Sequence, residues 1–140
     1  MFSTQQIEDF KVRVSEAGLS LTEESPEGPN GELRWTFSDD VADLQVGDDR
    51  GELFVAVGPR GATCFVGATW VGLLGIDPPR SEEFDSQLEY SLANLDKMRK
   101  AIESDGDILE NLRDANWSIV KKSLNIDPNM PRPGRRPRRV

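Results

Sequence analysis

The stretch Leu33-Arg-Trp-Thr-Phe-Ser-Asp-Asp-Val-Ala-Asp-Leu-Gln-Val-Gly-Asp-Asp-Arg-Gly-Glu-Leu-Phe-Val-Ala-Val57 decides the fold. Leu33, Trp35 and Phe37 alternate with Arg34 and Thr36. After a turn at Asp39-Asp40, Ala42, Leu44 and Val46 alternate with Asp43 and Gln45. A period of two is that of strands with one buried face. Gly47-Asp-Asp-Arg-Gly51 has hairpin-loop composition. Residues 52–57 follow with Leu53, Val55 and Val57 on one side and Phe54 and Ala56 on the other, the pattern of a central strand covered on part of each face. Three strands joined by two tight turns read as an antiparallel meander.

Outward from this block, Gly58-Pro-Arg-Gly61 turns the chain into a further strand over 62–66, and residues 19–22 begin one upstream, across a loop at Ser25–Gly31. Ile7, Phe10, Val14 and Ala17 have helical spacing, with Ser3 or Thr4 as N-cap and Gly18 as the stop. Thr69–Ile76 reads as a short helix or an apolar loop, because its glycines depress helix propensity. Beyond Asp77-Pro-Pro-Arg80, Ser81 caps a helix with Phe84, Leu88, Leu92, Leu95 and Ile102 on one stripe. Asp105-Gly106 interrupts it. Asp107 and Glu110 form a capping-box pattern for a last helix whose inner face uses Leu109, Leu112, Val120 and Leu124. The expected fold is α+β, a single domain over residues 1–130: an antiparallel β-meander of four or five strands with an N-terminal helix and two C-terminal helices. Residues 131–140, rich in Arg and Pro, are expected to form a disordered tail.

The 140 residues contain no histidine and one cysteine, Cys64, which excludes Ser-His-Asp and Cys-His catalysis, zinc-finger sites and an intrachain disulfide. Dinucleotide and phosphate-loop glycine patterns are absent. Asp105-Gly-Asp107 and Asp39–Asp43 lack the calcium-loop register, so capping and turn roles are expected for them. With 25 acids, some carboxylate pair always meets the spacing of a hydrolase, so such pairs carry no information. The expectation is no catalytic residue, no cofactor and no metal. Cys64, in a strand with no basic neighbour closer than Arg60, reads as a buried, inert thiol. Trp35, Trp70 and Trp117 read as core. The amino end lacks signal-peptide layout, no run suits a membrane span, and a lone cysteine fits a reducing compartment, so a cytoplasmic protein is expected.

The formal charge of −8 hides an asymmetry. Residues 1–131 hold 12 Lys and Arg against 25 Asp and Glu, while Arg132, Arg135, Arg136, Arg138 and Arg139 make the last nine residues +5. An acidic body repels nucleic acid and steers cationic partners. The meander would gather Asp39, Asp40, Asp43, Asp48, Asp49 and Glu52 along one strand and both its turns. These six are the candidate partner-binding residues, suited to hold Lys or Arg by charge-assisted hydrogen bonds. Nucleic acid is expected to meet only the tail, weakly.

Gly47-Asp-Asp-Arg-Gly-Glu-Leu-Phe-Val55, then Trp70-Val-Gly-Leu-Leu-Gly75, then the Leu-rich helix from Glu82, in an order spanning residues 40–103, resemble the small acidic bacterial immunity proteins of polymorphic toxin systems. The resemblance implies a non-catalytic domain that neutralises a basic protein partner, a toxin. It rests on no diagnostic residue, so no binding position carries over from it. The helix-strands-helix order is also similar to dimeric type III secretion chaperones, although those usually end with one helix and no basic tail. A dimeric chaperone-like adaptor is therefore one alternative and a carboxylate-dependent hydrolase another.

Overall fold

The computed structural model describes residues 2–25 and 33–133. Helix α1 (Thr4–Glu16) leads into strands β1 (Ser20–Ser25), β2 (Leu33–Ser38), β3 (Ala42–Asp49), β4 (Glu52–Pro59) and β5 (Phe65–Val66). Four helices complete the chain: α2 (Gly67–Leu74), α3 (Phe84–Ala93), α4 (Leu95–Ser104) and α5 (Ile108–Ser123). The five strands form one antiparallel sheet in sequence order. The α+β meander and the N-terminal helix stand as expected, but the two C-terminal helices are corrected to four. The loop expected at Ser25–Gly31 lies, after Ser25, outside the described residues.

Two local causes account for the extra helices. Gly67 and Gly72 weaken α2 as an isolated segment, yet packing overrides propensity. Trp70 is fully buried, with its indole N–H donating to the Val57 carbonyl at 2.9 Å. Gly75 ends the helix at φ +64. The long helix read after Ser81 is divided at Asn94. The Asn94 side-chain amide donates to the Tyr90 carbonyl at 2.9 Å, sharing it with the Asn94 backbone N–H at 3.1 Å, and ψ at Asn94 opens to 4°. A side chain competing for a helical carbonyl is a recognised source of such a break. Ser81 does not cap α3, whose N-cap is Glu83.

The register sorts the sheet into two faces. Phe37, Leu44, Val57 and Phe65 share one row and Trp35, Val46 and Val55 the next, and these face the core, while Leu21, in register with Phe37 on the edge strand, is exposed. Phe10 and Val14 of α1, Phe84 and Leu88 of α3, Met98 of α4 and Leu112 of α5 belong to the same buried cluster. Phe2, Phe10, Trp35 and Phe84 meet edge to face at 4.9–6.1 Å. Such pairs add to plain area burial. The opposite face is polar or small: Thr36, Gln45 and Ala56 in one row, Arg34 and Gly47 in the next, with Phe54 beside Gly47. A Cβ on Gly47 would sit 2.3 Å from the Phe54 ring, so that ring lies flat where glycine leaves room.

At the carboxyl end the last helix turns its first two turns inward, through Ile108 and Leu112. Leu124, expected on its inner face, is 66% exposed. Asp107 stands at the N-cap as expected, but its side chain makes no capping hydrogen bond. Asp105 takes that role, accepting from the Asp107 amide at 2.9 Å and the Asn111 side chain at 2.8 Å. The chain then reverses at Asn125 (φ +53) and runs back along α5. Lys121 donates to the Pro128 carbonyl, Trp117 donates to the Met130 carbonyl, and Arg132 bridges Asp114 and Glu110. Trp117, expected in the core, thus serves as a polar anchor for the return. Of the expected tail, residues 134–140 lie outside the described residues. No helix among the described residues is long and apolar enough to cross a membrane.

Candidate partner-binding cleft

The six acidic positions read from the sequence do not form one surface. Asp39 organises the β2–β3 turn: one carboxylate oxygen accepts from the amides of Val41 at 2.8 Å and Ala42 at 2.7 Å, and the other pairs with Arg99 at 2.5 Å. Arg99 also reaches Asp96 at 3.2 Å and the Ala17 carbonyl at 3.4 Å, tying α4 to the end of α1. Asp43 is buried, accepting from the Ser38 hydroxyl at 2.5 Å and the Gly61 amide at 2.9 Å. Asp48, also buried, accepts from the Gly51 amide at 2.7 Å and shapes the β3–β4 turn. These three carboxylates serve the fold.

The other three are exposed but separated. Asp40 stands at the β2–β3 turn, 3.8 Å from Arg60. Asp49 and Glu52 stand at the far end of the β3–β4 hairpin, a strand length of roughly 25–30 Å away. There they join a residue that sequence reading did not select. Glu82, from the α2–α3 connection, lies across a cavity of about 600 Å³ from the hairpin, and Leu53, Phe54, Val66, Pro79 and Tyr90 supply its apolar lining. Among the described residues none of Asp49, Glu52 and Glu82 has an ion-pair partner. Cavities of this size suit a side chain or a short segment of chain.

Tyr90, the only tyrosine, forms the wall of this cleft. Its ring lies against α2 because residue 67 is glycine: a Cβ there would stand 3.0 Å from it. The phenol oxygen is buried without a hydrogen-bond partner. Burial, with the charge of Asp77 adding to it, pushes the phenol above its ordinary 10, so it stays protonated at neutral pH. No sequence signal marked Tyr90 or Glu82, since both reach the cleft through the course of the 75–83 connection.

Elsewhere the chemistry is quiet. Burial, then the charge of Asp43, pushes the Cys64 thiol up to about 12, and the sulfur lies 3.7 Å from the Asp43 carbonyl as a donor to it. A thiol so placed carries negligible thiolate at neutral pH. No group of three or more metal-ligating side chains occurs among the described residues. For Asp39, burial raises the carboxyl pKa, but the Ala42 and Val41 amides and the Arg99 guanidinium outweigh it and hold the pKa below the ordinary 3.8.

The Asp39 shift has a pH signature. The folded pKa is depressed, so this carboxylate's contribution is fully present above the unfolded pKa near 3.8 and is lost as pH falls through the folded value. The stability difference between the protein and its Asp39→Asn variant is therefore expected to be constant from neutral pH to about 5 and to shrink below about 4. Urea titrations at four or five pH values measure it, and a gap unchanged down to pH 2 contradicts the assignment.

No protein-family model matches the chain, and no curated protein or solved structure matches it.

Proposed function

We propose that this chain is a non-catalytic, acidic protein-binding domain that neutralises a basic protein partner by occlusion, as an immunity protein does its toxin. The observation that carries the reading is the cleft between the β3–β4 hairpin and the α2–α3 connection, where three carboxylates without an ion-pair partner among the described residues rim an apolar floor. Long-range attraction comes from the whole body, in which acids outnumber bases by 13 over residues 1–131. Potentials of this kind raise encounter rates by about 10–10³-fold. Retention comes from the floor. A Lys or Arg stem lies along Leu53, Phe54 and Val66 while its charged head meets Asp49, Glu52 or Glu82, so that both ends of an amphipathic side chain are satisfied. We place this activity in the cytoplasm, which the presence of a single cysteine supports.

Stopped-flow association with a candidate basic partner tests the reading. Between about 20 mM and 500 mM salt the association rate is expected to fall at least tenfold while dissociation changes little, because screening acts on encounter. A rate indifferent to salt removes the proposal.

A further inference from the structure

The cleft is one of two. On the other side of Pro79 and Tyr90, which line both, lies a second cavity of about 490 Å³ between the Gly75–Arg80 segment and the outer faces of α3 and α4. The two differ in charge. The first is rimmed by Asp49, Glu52 and Glu82 alone. The second is balanced, with Asp77 and Glu89 against Arg80 and Lys97, and among the described residues none of these four is paired.

From this pair of clefts we propose that the partner element recognised is an extended segment of chain carrying an arginine, laid across the Pro79–Tyr90 ridge so that residues i and i+2 enter the two cavities. The inference rests on the acidic-binder reading and specifies what that binder holds. A flat or convex protein face leaves two adjoining concavities empty, whereas an extended segment projects alternate side chains on one side, about 6–7 Å apart. Charge sets the direction. The arginine belongs in the first cavity, where its planar guanidinium faces three carboxylates and the Phe54 and Tyr90 rings. A neutral side chain that both donates and accepts, such as glutamine, belongs in the balanced second one. The ridge favours the same choice, since a proline and a tyrosine present a firm apolar surface at little entropic cost.

The full chain, ¹⁵N-labelled, is titrated with the capped pentapeptide Ala-Arg-Ala-Gln-Ala and with the same peptide bearing citrulline for arginine, which keeps the shape and removes the charge. The arginine peptide is expected to shift the amides of Glu52 and Ala68 on one side of the ridge and of Asp77 and Glu89 on the other. Citrulline, and separately the E52Q/E82Q double variant, are each expected to weaken binding at least fivefold. Shifts on one side only, or equal affinity for the citrulline peptide, overturn the proposal. Should neither peptide bind, a folded basic protein such as cytochrome c separates the two claims. Its salt-sensitive binding would leave the acidic-binder reading standing and refute the extended segment, and no binding would refute both.

Discussion

Asp39→Ala is expected to lower the unfolding free energy by about 2–4 kcal/mol, whereas the paired change D49N/E52Q leaves the thermal midpoint within about 2 °C of the parent. All three positions are acidic residues in or beside hairpin turns, and composition does not distinguish them. Their surroundings do. Asp39 holds two amides and the Arg99 guanidinium, with its side chain 19% and that of Arg99 22% exposed. Removing it strands the Val41 and Ala42 donors and leaves a half-buried arginine facing only Asp96 and the Ala17 carbonyl. The loss of a partner from such a pair costs more than the pair contributes, because the remaining charge keeps its desolvation penalty. Asp49 and Glu52 point to solvent at the cleft rim and hold nothing in place. Urea denaturation of the variants separates the cases: an Asp39→Ala cost under about 0.5 kcal/mol would mean the turn is held by its backbone alone.

The same contrast bears on how an acidic domain tolerates its own charge. Carboxylates used as turn and cap acceptors are neutralised locally by amides, a role that acid-rich loops commonly fill. Among the described residues many other carboxylates have no such partner, and at the hairpin end three of these surround an apolar hollow. On the proposed reading, selectivity for a basic partner rests less on the −13 of residues 1–131 than on which unpaired carboxylates the fold gathers beside an apolar hollow.

How much of this was legible in the sequence follows from the range of each interaction. The alternation of Leu33, Trp35 and Phe37 against Arg34 and Thr36 is local and strong, and the pairing of residues 33–38 with 43–48 follows it directly. The same alternation put Asp43 opposite Leu44. It did not reveal that the Gly61 amide and the Ser38 hydroxyl would enclose that carboxylate, a closure that depends on the 59–64 loop folding back. The division at Asn94 was hidden because asparagine on a helical stripe is ordinary until its side chain takes the carbonyl of Tyr90. Glu82 was hidden for a longer-range reason. It lies 30 residues from Glu52, and only the course of the connection after α2 brings the two to one cleft.

Trp70→Ala is expected to cost about 3–5 kcal/mol, a large part of the roughly 5–15 kcal/mol available to a domain of this size. The sequence left residues 69–76 open between helix and loop, and this residue is what decides. Its indole is fully buried in the same cluster as Val57, Phe65 and Leu112, so truncation opens a cavity lined by the sheet and by α5. It also strands the Val57 carbonyl, which accepts the indole N–H at 2.9 Å at the place where β4 meets its short partner β5. Trp70→Phe separates the two losses, keeping most of the apolar volume while removing the donor, and should cost less than the alanine change. Because α2 packs on α5 and supplies Gly67 and Ala68 to the cleft, the alanine variant should also lose peptide binding at temperatures where it is still folded. Circular dichroism melts beside the amide titration measure both effects. A Trp70→Ala protein that melts within about 2 °C of the parent would mean that α2 is peripheral, and would remove the wall on which the cleft depends.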